Sequence, residues 1–154
     1  LDKEIHDLHK KNIRFKVIGD REKLDADIVE LIKVAEELTK ENCDLTLTIA
    51  LSYGGRRAIT LAAKELAYRA CEGTIKLDEI SEEAFELVLE THGVPNPDLV
   101  IRTSGEKRIS NFLLWECAYS EFVFFDTLWP DFSSEHLTKA VQEYCNRERR
   151  FGAA

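Results

Sequence analysis

Apolar residues recur along this chain in two rhythms, and the points where one rhythm gives way to the other predict its elements. Leu1, Ile5 and Leu8 fall at helical spacing, with Asn12 as the stop. The stretch IRFKVI over 13–18 alternates like a strand and runs into Gly19-Asp20, a turn signal. Leu24, Ile28, Leu31, Ile32, Ala35 and Leu38 then mark an amphipathic helix. Residues 45–52 alternate again, with Leu45, Leu47, Ile49 and Leu51 on one face and the small Thr46, Thr48 and Ala50 on the other. A helix follows to about Cys71, closed by Gly73. Ser81 with Glu82 and Glu83 reads as a helix start, because acids suit the positive end of the helix dipole. Pro95 and Pro97 mark a loop before a strand over 98–102. A helix from about Ser110, a strand over 122–125, a turn at Trp129-Pro130-Asp131 and a last helix to about Arg149 complete the chain. Strand and helix alternate throughout. The fold class is therefore α/β, a largely parallel central sheet flanked by helices, with residues 1–154 as one domain.

Composition narrows the class of function. The chain has 154 residues, 44% of them hydrophobic and 32% charged, which is the balance of a folded rather than a disordered protein. The net charge of −8 argues against nucleic acid as a partner, since phosphate neutralisation needs a basic face. Cys43, Cys71, Cys117 and Cys145 are scattered and form no CxxC pair, so reduced, buried thiols in a cytoplasmic protein are expected, not a zinc site or disulfide frame. No signal peptide or long apolar span is visible. The chain lacks methionine even at position 1, which suggests a piece of a longer gene product.

Two loops have the address where parallel sheets hold ligands, beyond the carboxyl ends of strands. Ser52-Tyr53-Gly54-Gly55-Arg56-Arg57 is the first. Paired glycines let amides approach an oxyanion, but they equally make a tight turn flanked by solvated arginines, and the turn is the better reading. The second is Arg102-Thr103-Ser104-Gly105-Glu106-Lys107-Arg108-Ile109-Ser110. Here two guanidinium forks and a hydroxyl converge against the acidic bulk, which favours an anion over surface arginines paired with Glu106 or Glu116. Glu121 lies beside the run FVFF, a poor place for a solvated carboxylate; alone, it reads as a strand-edge group bonded to a backbone amide. His6 and His9 have no third ligand in view. Arg147 to Gly152 reads as a cationic helix end.

The long stretch DLVIRTSGEKRISNFLLWECAYSEFVFFDTLWPDF over 98–132 resembles the most diagnostic segment of the cis-prenyltransferases, the undecaprenyl diphosphate synthase family. IALSYGGRRAI over 49–59, FKVIGD over 15–20 and NRERRFG over 146–152 fit in the same order. The resemblance implies an enzyme that condenses isopentenyl diphosphate onto an allylic diphosphate to give Z-polyprenyl diphosphates. It implies that Arg102, Arg108, Ile109 and Ser110 bind isopentenyl diphosphate, and that Glu121 binds Mg2+. Arg150 and Gly152 would reach a neighbouring subunit's substrate in a homodimer. Leu45, Leu47 and Ile49 would wall a tunnel for the growing chain, the tunnel-facing side of their strand being left open by the pattern. Peripheral contact with a membrane for product release is a further implication.

The family opens with a segment of the form HxxxIMDGNxRW and an FSxENWxR region, and neither occurs here. The first carries the aspartate that ionises the allylic substrate, so no catalytic residue is assigned in this chain. The chain is therefore expected to be the carboxyl-terminal portion of a synthase, inactive alone. The alternative is a non-catalytic partner subunit of a cis-prenyltransferase complex, which the intact Arg102, Arg108, Ser110 and Glu121 oppose.

Overall fold

In a computed structural model, the structure describes residues 2–147, side chains from residue 4 onward. Two compact units emerge, Leu1–Gly93 and Val94–Ala154, and each is built around a parallel pair of strands with helices against it.

The first unit runs α1 (Asp2–Lys10), β1 (Ile13–Ile18), α2 (Ala26–Thr39), β2 (Leu45–Ala50), α3 (Gly55–Cys71) and the short α4 (Glu82–Glu86). Asn12 ends α1 in the left-handed region, at φ 55°, as its stop signal predicts. β1 and β2 pair in parallel register from Ile13↔Leu45 to Ile18↔Ala50. Phe15 and Val17 of β1 face Ile32 and Ala35 of α2 and Ile5 of α1, and these five form the buried core cluster. The outer edge of β1 is closed by side chains in place of a strand. Thr39 Oγ1 accepts from the Phe15 N–H at 3.0 Å, and Glu36 Oε1 accepts from the Val17 N–H at 2.9 Å. Edge amides satisfied in this way cannot recruit another strand. Gly19 leaves β1 at φ 110°, and a Cβ there would lie 2.0 Å from the Leu51 carbonyl oxygen, so only glycine fits.

The second unit runs β3 (Leu99–Arg102), β4 (Glu121–Phe124) and α5 (Ser134–Cys145). The strands pair in parallel from Leu99↔Glu121 to Arg102↔Phe124. Val123 and Ala140 are buried, and Phe125, Phe132 and His136 pack ring against ring with centroids 5.4–5.7 Å apart.

Three expectations are corrected. No helix starts at Ser110: residues 110–119 form a chain of turns, because Ser110, Asn111 and Leu113 take positive φ values of 49°, 64° and 43°, which a right-handed helix cannot hold. The last helix ends at Cys145, not Arg149. Of the four thiols only Cys117 is buried; Cys43, Cys71 and Cys145 are exposed because they sit at element ends, and none forms a disulfide. The remaining elements match to within about two residues, the usual uncertainty of an element end. Among the described residues no helix is long and apolar enough to cross a membrane.

Candidate functional site

The second loop forms a pocket. β3 delivers Arg102 at its carboxyl end, and the left-handed turns after Ile109 fold the chain back over it. A cavity of about 290 Å3 results, lined by the polar Arg102, Arg108 and Ser110 and by the apolar Val100, Ile101, Ile109, Phe112, Phe122 and Phe124. Strand alternation explains the lining. Register sets Val100 beside Phe122 and Arg102 beside Phe124, so all four project to one face. Phe122 and Phe124 stack there with centroids 6.1 Å apart. The sequence reading took the two arginines and the serine but missed this floor, although Phe122 and Phe124 two apart on a strand could have signalled it.

Arg102 organises the rim. Its Nη1 donates to Ser110 Oγ at 2.8 Å and to the main-chain oxygen of Arg108. Ser110 is therefore not a helix cap but a partner of Arg102, held in a backbone region that non-glycine residues rarely adopt. Arg108 is largely exposed and pairs with Glu106 at 2.5 Å, the partner weighed for it from sequence. A guanidinium has five N–H donors, so one nitrogen engaged with the loop leaves others for an anion.

Glu121 does not join this pocket. It opens β4 beside Leu99, three residues before Phe124, which is roughly 10 Å along a strand. Alternation also turns its side chain, like that of Val123, away from the face of Phe122 and Phe124. Among the described residues its partner is a side chain, not a backbone amide: Arg147 Nη1 donates to Glu121 Oε2 at 2.6 Å. Arg147 Nη2 donates to the Phe122 carbonyl at 2.9 Å and also meets Glu143. These bonds, that to Glu121 first and that to Glu143 second, push Arg147 further above its already high range. Sequence reasoning gave Arg147 no role beyond a helix end, since nothing local signals a partner 26 positions away.

The residues present do not assemble a magnesium site at the cavity. Among the described residues no carboxylate lines it, and no group of three or more His, Cys, Asp or Glu side chains could hold a metal ion. His6 and His9 are exposed.

The glycine loop is structural in its arginine. Arg57 reaches the buried Asp20 at 3.2 Å and Glu90 at 3.9 Å, while Glu90 Oε2 accepts from the Gly19 N–H at 2.7 Å. This network fastens the start of α3 to the end of β1. Leu45, Leu47 and Ile49 form an exposed apolar row along β2. Arg150 and Gly152 lie outside the described residues.

Burial raises the Cys117 thiol above its ordinary range, with a Ser120 hydrogen bond opposing and the nearby Glu116 adding to the rise.

Comparison with known proteins places these features in a family. A family model described as “Putative undecaprenyl diphosphate synthase” matches residues 1–152. An isoprenyl transferase of Agrobacterium fabrum is 47% identical over 151 residues, covering 98% of this chain and 61% of that protein. A ditrans,polycis-undecaprenyl-diphosphate synthase, (2E,6E)-farnesyl-diphosphate specific, of Micrococcus luteus is 49% identical over 146 residues, covering 95% of this chain and 59% of that protein. The chain thus spans about three-fifths of the length of these curated relatives. A crystal structure of lavandulyl diphosphate synthase from Lavandula x intermedia, in complex with dimethylallyl diphosphate, superposes with a TM-score of 0.94 at 36% identity, covering 98% of this chain and 66% of that one.

Proposed function

The chain belongs to the undecaprenyl diphosphate synthase family, and from that premise we propose that it carries the isopentenyl diphosphate half of a prenyl-transfer site. The observation that supports this most strongly is one cavity lined by two arginines, a serine hydroxyl and stacked phenylalanines. A diphosphate bears its charge at one end and a branched five-carbon chain at the other, and the cavity matches both. Arg102, already braced against Ser110, offers its remaining N–H groups to phosphate oxygens. Arg108 swings from Glu106 to the same diphosphate, and the Ser110 hydroxyl adds a donor. Each charge-assisted bond of this kind contributes about 1.5–3 kcal/mol. Val100, Ile109, Phe122 and Phe124 dry the isopentenyl carbons and hold the double bond in a fixed direction, which is the positioning part of catalysis.

The reaction proposed for the whole protein is that of the family. The isopentenyl double bond attacks the first carbon of an allylic diphosphate, the bond from that carbon to the diphosphate oxygen breaks, and a proton is lost from the isopentenyl unit. By resemblance Glu121 would hold Mg2+, which would supply charge to offset that of the leaving group. The described residues keep that carboxylate on Arg147 and off the cavity, so the arginines, the hydroxyl and the apolar wall are the parts this chain supplies. The exposed row of Leu45, Leu47 and Ile49 is proposed to wall the product tunnel, and Arg150 and Gly152 to serve a neighbouring subunit in a homodimer. Peripheral membrane contact and cytoplasmic residence complete the proposal.

The test has two arms. Incubating the purified chain with farnesyl diphosphate, labelled isopentenyl diphosphate and Mg2+ is expected to give no polyprenyl product, while equilibrium dialysis retains labelled isopentenyl diphosphate. Product formation would overturn the assignment of a half-site, and failure to retain the label would overturn the site itself.

A further inference from the structure

The loop that carries Arg108 is anchored at its start as well as at its end. Ser104 and Gly105 pass through the left-handed region, at φ 68° and 69°. Their N–H groups donate to the carbonyls of Thr127 at 2.8 Å and Phe125 at 2.9 Å. A Cβ on Gly105 would meet Asp126 Oδ1 at 3.3 Å, so the turn lies close against the segment that follows β4. That segment is itself tied down. Thr127 Oγ1 lies 3.1 Å from Nε2 of His136, near the start of α5. The other ring nitrogen, Nδ1, accepts from the Ser133 N–H at 3.1 Å, so the ring proton sits on Nε2 and is donated to Thr127. His136 also stands edge-on to Phe125, with centroids 5.5 Å apart, and stacks on Phe132 at 5.4 Å. One imidazole thus joins the start of α5 to the two residues whose carbonyls hold the turn.

We propose that Thr127 and His136 form a clasp that sets where Arg108 meets the diphosphate, which makes both of them positioning residues for the anion site. This rests on the reading of the cavity as an isopentenyl diphosphate site. The two arginines reach that cavity differently. Arg102 belongs to β3, and its backbone is fixed by pairing with β4. Arg108 stands six positions further on, outside any helix or strand, and is exposed. Its approach to a ligand depends on how firmly its loop is held. Arg102 grips the far end of the loop, through the Arg108 main-chain oxygen and Ser110 Oγ. The Thr127 and Phe125 carbonyls grip the near end, and His136 keeps those carbonyls in place. Without the Thr127 hydroxyl the near end loses its tie to α5. A displacement on the order of 1 Å is then enough to spoil a charge-assisted bond from Arg108.

Equilibrium dialysis of the full chain against labelled isopentenyl diphosphate, and in parallel against labelled inorganic pyrophosphate, tests the clasp. Thr127→Val keeps the branched shape and removes the hydroxyl, and it should weaken both ligands about fivefold, the scale of one hydrogen bond. Thr127→Ser restores the hydroxyl and should stay within about twofold of the unsubstituted chain. A cycle with Arg108→Ala separates positioning from general loosening. On that background Thr127→Val should change affinity by less than about twofold, because the arginine it positions is gone. Should circular dichroism show Thr127→Val unfolded, His136→Asn is read in its place, since its amide oxygen still accepts from Ser133 but falls short of Thr127. If Thr127→Val and His136→Asn, both folded, bind like the unsubstituted chain while Arg102→Ala weakens binding, the clasp is wrong and the diphosphate site stands. A loss that persists in full on Arg108→Ala also overturns the clasp. Failure of the unsubstituted chain to retain either ligand overturns both.

Discussion

The molecule contains the same device twice, a parallel strand pair with helices against it, and the two copies are put to opposite uses. β1 and β2 expose Leu45, Leu47 and Ile49, an apolar row with no charge among them. β3 and β4 also present an apolar face, Val100, Phe122 and Phe124, but Arg102 closes it at the carboxyl end and the turns after Ile109 bring Arg108 and Ser110 to the same place. The difference lies at the carboxyl end of each first strand. Beyond β1 the chain must pass through Gly19, and the polar groups there are consumed internally: Asp20, Arg57 and Glu90 hold one another. Beyond β3 the polar groups converge on a cavity instead. A strand end becomes a binding site when its charges are left facing an open space, and becomes a fastening when they are paired off.

The largest way to break the comparison is at the fastening. Gly19→Ala drives a Cβ into the Leu51 carbonyl, and a loss on the order of 4 kcal/mol is expected in guanidinium unfolding. An unchanged midpoint would mean the fastening tolerates what its geometry forbids. Next comes the site. Arg102→Ala should weaken isopentenyl diphosphate binding about 10- to 100-fold, the scale of one or more charge-assisted bonds plus the collapse of the rim. Leu47→Ala, on the uncharged row, should leave that affinity within error. Equal losses in both would erase the division between the two pairs. Smaller again is the closed edge of β1. Thr39 is fully buried, donates to the Ala35 carbonyl and accepts from Phe15, so Thr39→Val strands a buried amide and should cost about 1–3 kcal/mol in the same unfolding experiment. The smallest effect is kinetic. Burial raises the Cys117 thiol, so less of it is thiolate near pH 8 and its alkylation by iodoacetamide should lag behind Cys43, Cys71 and Cys145. The lag should narrow as pH rises, and mass spectrometry of the labelled peptides reads it directly.

Sequence alone revealed the strands because alternation over 13–18 and 45–50 is a local property, and Gly19, Asn12 and Gly73 ended elements where their left-handed backbones were needed. It failed over 110–119, where an apolar run with helical spacing is overruled by three positive φ values and by Arg102 gripping the loop. The convergence of Arg102, Arg108 and Ser110 was legible, because all three fall within nine residues of one strand end. The partners of Glu121 and the closing of the β1 edge were not. Both depend on side chains far along the chain whose meeting is decided by packing, and no residue spacing encodes it.

The central claim is that Arg102 and its loop grip a diphosphate whose hydrocarbon lies on the Phe122–Phe124 wall. Isothermal titration of the chain with isopentenyl diphosphate, repeated with inorganic pyrophosphate, tests it most directly. The account predicts saturable binding of both, tighter for the ligand with the hydrocarbon, and weaker binding of both on Arg102→Ala. Undiminished heat from a folded Arg102→Ala variant would contradict it.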